Sequence, residues 1–114
     1  MSYQMGQGVQ QSYIEAVKWY RKSVAQGGRS GHFNLGHMYD NGLGVQQNHA
    51  VAIDLYKKAS ALGHDIASNN IAVMFLEGVG VQKNNSEAIK WFQKAARQGN
   101  KVARSYLKGI GVSY

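Results

Sequence analysis

The amino-acid sequence predicts an all-α protein, an α-solenoid (α/α superhelix) of antiparallel helix pairs with about three 36-residue repeats and incomplete ends. Three observations carry this. A GxGV element recurs every 36 residues, as Gly6-Gln7-Gly8-Val9, Gly42-Leu43-Gly44-Val45 and Gly78-Val79-Gly80-Val81. Such a period marks a tandem array, whose units bury their apolar faces only against their neighbours. Single glycines, Gly27, Gly63 and Gly99, recur between these elements at the same period. The stretches bounded by the two kinds of glycine carry apolar residues at i, i+3, i+4 and i+7, the spacing of one helical face.

Met1 to Met5 align with the last turn of a helix, Tyr3 falling where Tyr39 and Phe75 fall in later units, so the array begins mid-repeat. The first GxGV element predicts a turn. Ser12, with Glu15 three residues on, then forms a capping box in which hydroxyl and carboxylate satisfy reciprocal backbone donors. The helix opened there carries Ala16, Trp19, Tyr20 and Ser23 on one face, repeated as Ala52, Leu55, Tyr56, Ala59 and as Ala88, Trp91, Phe92, Ala95. Small residues at both ends admit close helix approach while bulky ones fill the space between, so this face is the expected core. Lys18, Arg21, Lys22, Asp54, Lys57 and Lys58 mostly lie off the stripe and belong in solvent. Gly27, Gly63 and Gly99 end the second helix of each pair with a left-handed residue.

The other helix of each pair is expected over about 30–41 and 66–77. Gly31, Leu35, Met38 and Tyr39 share one face of it, matched by Ala67, Ile71, Met74 and Phe75. A glycine inside a helix costs roughly 1 kcal/mol against alanine, so Gly31 and Gly36 point to close helix contact. Asn48 and Asn84 are the expected N-caps of the following helices, with Glu87 at capping-box spacing from Asn84. Near the end, Gly109-Ile110-Gly111-Val112 arrives ten residues after Gly99, where earlier units take fifteen. A five-residue deletion would put Tyr106 at the Tyr39 and Phe75 position. Without a gap, Ala103 matches Gly31 and Ala67, Leu107 matches Leu35 and Ile71, and GIGVSY is a tail. The ungapped reading is preferred, because contact with the preceding repeat requires Ala103 and Leu107 and does not require the turn.

With 114 residues, 44% of them hydrophobic, the chain fits one domain over 1–114, with units of approximately 1–27, 28–63, 64–99 and a partial 100–114. A chain of this size buries roughly two-thirds of its unfolded surface. The absence of cysteine removes disulfides and thiolate metal sites. No run of about 18 apolar residues spans a membrane, and Met1 to Val9 lack signal-peptide character, so a cytoplasmic location is the default expectation. The net charge of +7 raises non-specific affinity for nucleic acid or anionic surfaces without conferring specificity.

The segments Asn34-Leu35-Gly36-His37-Met38-Tyr39-Asp40-Asn41-Gly42-Leu43-Gly44-Val45 and Ala88-Ile89-Lys90-Trp91-Phe92-Gln93-Lys94-Ala95-Ala96-Arg97-Gln98-Gly99 resemble the Sel1-like repeat family, relatives of tetratricopeptide repeats. The resemblance covers nearly the whole chain. It implies a right-handed α-solenoid used as an adaptor or scaffold in protein complexes, with the first helix of each pair on the concave, ligand-facing wall. Some secreted members tie their helices with cysteines; this chain has none, and the proline often found in the inter-helix turn is also absent.

On that wall, with Leu35 as core, the opposite side of the second unit's helix carries Ser30, Phe33, Asn34, His37, Asp40 and Asn41. One repeat later stand Ile66, Asn69, Asn70, Val73, Leu76 and Glu77. Apolar Ile66, Val73 and Leu76 rimmed by Asn and Glu suit a peptide or partner helix, although an apolar stripe is also how a helix packs against its neighbour. Lys94, Arg97, Lys101 and Arg104, with Lys90 and Lys108, recur every three or four residues and would form an anion-binding stripe on a continuous helix, which Gly99-Asn100 interrupts. His32, His37, His49 and His64 show no metal-ligand spacing. GxGV follows a helix rather than a strand and lacks GK[ST], so it is not a phosphate loop. No catalytic set or cofactor motif stands out.

The leading expectation is a non-enzymatic protein- or peptide-binding scaffold. The alternatives are a nucleic-acid or anionic-surface binder using the basic C-terminal residues, and an inhibitor or immunity-type protein occluding an acidic partner. The interrupted ends also predict apolar patches, around Trp19 and Tyr20 and around Tyr106 and Leu107, that would support end-to-end self-association. The mid-repeat start and irregular end also suit an excised or engineered fragment.

Overall fold

The computed structural model describes residues 2–114, and side chains from residue 11 onward. Six helices follow one another: α1 Ser2–Ala25, α2 Arg29–Asn41, α3 His49–Ala61, α4 Asp65–Glu77, α5 Asn85–Arg97 and α6 Lys101–Gly109. Each packs on the next in an elongated array of 50 × 31 × 23 Å. Three apolar clusters run along it. Val17, Leu35, Met38 and Leu55 form the first, Ile53, Tyr56, Ile71 and Met74 anchor the second, and Phe92, Ala103 and Leu107 the third.

The expected small-residue contacts are present. A Cβ on Gly31 would overlap the Ser23 side chain, and one on Gly36 would sit 2.9 Å from the Tyr56 ring. Polar ties also join repeats: Ser68 Oγ donates to Gln98 Oε1 at 2.6 Å, and Gln98 Nε2 donates to the Ser60 carbonyl at 3.0 Å.

The second and third GxGV elements are tight turns. Leu43 N–H donates to the Met38 carbonyl, Val79 N–H to that of Met74, Asn48 N–H to Tyr39 and Asn84 N–H to Phe75, each at 2.9 Å. Asn48 Oδ1 accepts from Val51 N–H and Asn84 Oδ1 from Glu87 N–H. The return half of the Asn84–Glu87 capping box has no role, because Asn84 N–H is already bonded across the turn. Removing the Asn84 cap (Asn84→Ala) is expected to cost about 1 kcal/mol, read as a shift of the urea midpoint. The second glycine of each turn also meets the preceding repeat: a Cβ on Gly44 would lie 2.6 Å from the Tyr13 carbonyl, and one on Gly80 would overlap His49.

The first GxGV element departs from expectation. α1 is one continuous helix from Ser2 to Ala25, so Gly6 to Gln11 make no turn and Ser12 caps nothing. In the later units the turn is held by docking on the second helix of the repeat before it, and within this chain Gly8 has no such helix to meet. Local helix formation prevails there. The alignment of Tyr3 with Tyr39 concerns a side chain outside the described ones. Trp19, on the stripe expected as core and also in the apolar patch expected at this end, is 65% exposed, as the second expectation has it, whereas its counterpart Leu55 is buried against α1 and α2. Leu55 is covered by the preceding repeat; Trp19 has no equivalent cover among the described residues.

At the other end the ungapped reading holds. Ala103 and Leu107 are fully buried. The expected apolar patch at Tyr106 and Leu107 is not there: Tyr106 is half-buried and stacks on Phe92 at 4.2 Å. α6 runs through Gly109, and Gly111, at φ 72°, makes the turn, with Val112 N–H bonded to the Leu107 carbonyl at 2.9 Å. The tail folds back, Gln93 Nε2 donating to the Ser113 carbonyl at 2.9 Å.

Two helix caps were invisible to the sequence reading. Asn100 Oδ1 accepts from Ala103 N–H at 2.8 Å, and His64 Nδ1 accepts from Ala67 N–H at 3.2 Å. The bond to His64 requires an unprotonated Nδ1. Burial lowers the His64 pKa from its ordinary 6.5, Asp65 opposes the shift and Arg29 adds to it. The unfolded chain therefore binds the proton more readily than the fold does. His64's contribution is complete above pH 6.5, is lost as pH falls from there through the lower folded value, and is flat below both. Urea unfolding at pH 7.5 and 5.5 checks this: the wild type loses more stability across the interval than His64→Asn, whose cap does not titrate.

Candidate functional site

α2 and α4 are the first helices of successive pairs, each packed on its own second helix, α3 or α5, and they leave a groove of about 300 Å³ between them. His37, Asp40 and Asn41 line it from α2; Asn70, Val73, Met74 and Glu77 from α4; Val79 from the turn that follows. Six of the residues singled out from sequence thus surround one space: His37, Asp40, Asn41, Asn70, Val73 and Glu77. Met74 and Val79 were missed. Met74 reads as core, and Val79 enters only because the turn curls back under α4.

The other singled-out residues lie elsewhere. Phe33 is half-buried between repeats, stacked on His64 at 4.4 Å and tilted against Tyr56 at 5.6 Å. Leu76 is half-buried against the third cluster. Asn34 and Asn69 are also half-buried, and Asn69 Oδ1 has no hydrogen-bond partner. Ile66 is exposed at the start of α4, outside the groove.

Asp40 is the fixed point of the site. Its Oδ1 accepts from His49 Nδ1 at 2.8 Å and its Oδ2 from the Tyr56 hydroxyl at 3.3 Å, while Gln47 Nε2 donates to its backbone carbonyl at 2.9 Å. Burial pushes the Tyr56 hydroxyl pKa well above its ordinary value, and the Asp40 charge pushes it further, so Tyr56 remains a donor. Nearby, Asn41 Nδ2 donates to the His37 carbonyl at 3.0 Å and lies 3.2 Å from His37 Nδ1. The groove thus has an apolar floor, a rigid carboxylate and a polar rim.

The four basic residues divide. Lys94 and Arg97 share a shallow cleft of about 250 Å³ on α5 with Glu87, Lys90 and Trp91, and Lys94 Nζ lies 5.2 Å from the Trp91 ring centre. Arg104 turns toward the tail, its Nε donating to the Ala96 carbonyl at 2.9 Å and its guanidinium 5.2 Å from the Tyr114 ring centre. Lys101 is exposed at the start of α6. Gly99, at φ 101°, separates the two helices, so no single stripe forms. Among the described residues no three His, Cys, Asp or Glu side chains are grouped to hold a metal ion, and no helix is long and apolar enough to cross a membrane.

Tandem antiparallel helix pairs with an open groove between successive first helices define a helical-repeat solenoid, an architecture that offers a surface rather than an enclosed reaction centre. The chain belongs to the Sel1 repeat family, whose model matches residues 1–28, 29–64 and 66–100. Proteins of this family generally serve as protein–protein interaction scaffolds and are typically non-catalytic. A Sel1 repeat protein from Oxalobacter formigenes is similar at 35% identity and TM-score 0.74, over 88% of this chain and 43% of that one. The c5321 protein, a protective antigen of uropathogenic Escherichia coli with an SLR fold, is 39% identical with TM-score 0.73, over 84% and 22%. Helicobacter pylori cysteine rich protein B is 30% identical with TM-score 0.76, over 80% and 68%. The chain therefore spans under half of the first two proteins. Comparison with curated proteins found no match.

Proposed function

We propose that this chain is a binding module that holds a protein or peptide segment in the groove between α2 and α4. The observation that carries this is the composition of the groove: Val73, Met74 and Val79 supply apolar surface, and Asn41, Asn70, His37 and Glu77 surround it with hydrogen-bonding groups. An apolar floor with a few placed polar groups is how an extended segment gains both affinity and register. Asp40, fixed by Tyr56 and His49, keeps the α2 wall in place whether or not a partner is bound.

The test compares the wild type with a variant carrying His37→Ala, Asn41→Ala and Glu77→Ala, all exposed positions. Both are used as tagged bait in cell lysate, with nuclease and at raised salt, and captured proteins are identified by mass spectrometry. A defined protein held by the wild type and reduced at least tenfold by the variant is the expected result. Equal capture by both would remove the groove from the function, and loss of all capture on nuclease treatment would refute protein binding.

A further inference from the structure

We infer that the groove between α2 and α4 takes a basic side chain, arginine in preference to lysine, flanked by an apolar residue of the partner; this rests on the groove being the docking site. The chain has thirteen Lys and Arg, yet none of them lines this groove, while two of its six acids, Asp40 and Glu77, do. The site is a local reversal of the molecule's overall sign.

The free hydrogen-bonding atoms point the same way. Asn41 engages its Nδ2 on the His37 carbonyl, which leaves its Oδ1 as an acceptor. The Asn70 amide, also on the groove wall, offers an acceptor in its Oδ1 beside the N–H groups of its Nδ2. The Glu77 carboxylate is an acceptor by nature, and each Asp40 oxygen, although it already accepts one bond, from His49 or from Tyr56, keeps a further lone pair. Glu77 is exposed and makes no ion pair among the described residues. Against these acceptors stand fewer side-chain donors, the Asn70 Nδ2 group and His37 Nε2–H, since His37 Nδ1 faces the Asn41 amide. A ligand that matches must bring donors, several of them and spread in a plane. Guanidinium carries five N–H groups in a fixed fork, where ammonium presents a single point charge. The aliphatic stem of arginine would lie along Val73 and Met74, and a neighbouring apolar side chain along Val79.

General electrostatics would favour the opposite ligand, because a net charge of +7 attracts acidic segments to any part of the surface. The experiment separates the two. A phage-displayed library of random decapeptides is selected on the immobilised full chain and counter-selected on the chain carrying His37→Ala, Asn41→Ala and Glu77→Ala, which removes peptides held by overall charge. The expected result is enrichment of arginine next to an apolar residue. Replacing that arginine by citrulline, which keeps its shape and loses its charge, weakens binding at least tenfold by calorimetry, as does Glu77→Gln in the protein. Groove-dependent peptides without a basic residue, or a citrulline peptide that binds as well, would overturn the inference and leave the docking reading standing. Absence of any groove-dependent peptide would overturn both.

Discussion

Replacing Tyr56 by alanine is expected to lower the unfolding free energy by about 3–5 kcal/mol, the cost of emptying a large aromatic site in a core. Tyr56 is fully buried at the centre of the second cluster, with Ala52, Ala59 and Ala67 in the same cluster. Gly36 lies against its ring. None of these small residues can move a side chain into the space, so the cavity would persist. The ring also carries the donor to Asp40. Tyr56→Phe keeps the packing and removes that donor, and is expected to cost about 1 kcal/mol. Urea unfolding followed by circular dichroism measures both. A loss below about 1 kcal/mol for Tyr56→Ala would refute the account of α2 and α3 as joined through this ring.

Alanine in place of the second glycine of the GxGV element is expected to act with opposite sign in different repeats. At Gly44 the backbone is left-handed, at φ 71°, and a Cβ would press on the Tyr13 carbonyl. Left-handed backbone alone costs a residue with a side chain roughly 1–2 kcal/mol, and the overlap adds to it, so Gly44→Ala should lose at least about 2 kcal/mol. Gly8 lies inside α1, where alanine is favoured over glycine by about 1 kcal/mol. Gly8→Ala should therefore raise the thermal midpoint while Gly44→Ala lowers it. Destabilisation by both would mean that residues 6–11 form the turn their sequence encodes, and the continuous α1 would be refuted.

Most of the fold was legible in the sequence because it is locally encoded and repeated. The observed starts and ends of α2 and α4 fall within a residue of those expected from spacing, and Asn48 and Asn84 cap where their side-chain chemistry requires. The first GxGV element misled because closely similar local residues, differing chiefly in Gln7 for Leu43 and Val79, take a different form when no helix of this chain is there for them to dock on; a turn held by tertiary contact cannot be read from its own six residues. Trp19 follows the same rule: its stripe is core only where a preceding repeat covers it, which is why the apolar patch expected at this end is exposed. The His64 cap is not legible from residue type, because histidine is not among the side chains that favour the N-cap, although Gly28, His64 and Asn100 stand at one repeat position.

The candidate site was legible in half. Periodicity placed His37, Asp40, Asn41, Asn70, Val73 and Glu77 toward one side, as helical spacing allows. It could not place Val79, which arrives through a turn, or separate Phe33 and Leu76, whose burial depends on the tilt between helices. Nor could it find the Asp40–Tyr56–His49 arrangement. Those residues lie on two helices, and their meeting is set by how closely Gly36 lets α3 approach.

The reach of the second turn glycine carries a consequence for how such a sequence can change length. Gly44 meets Tyr13 and Gly80 meets His49, and each contact joins equivalent points of adjacent units. Deleting or duplicating one whole period gives every turn a partner of the kind it already had. Inserting a single residue in α3 would rotate everything beyond it by roughly 100°, carrying His49 away from Gly80 and turning the helix's small residues out of register. Inheritance can therefore lengthen or shorten this protein by entire units with little disturbance, while the smallest indel inside a helix is among the most damaging changes available to it.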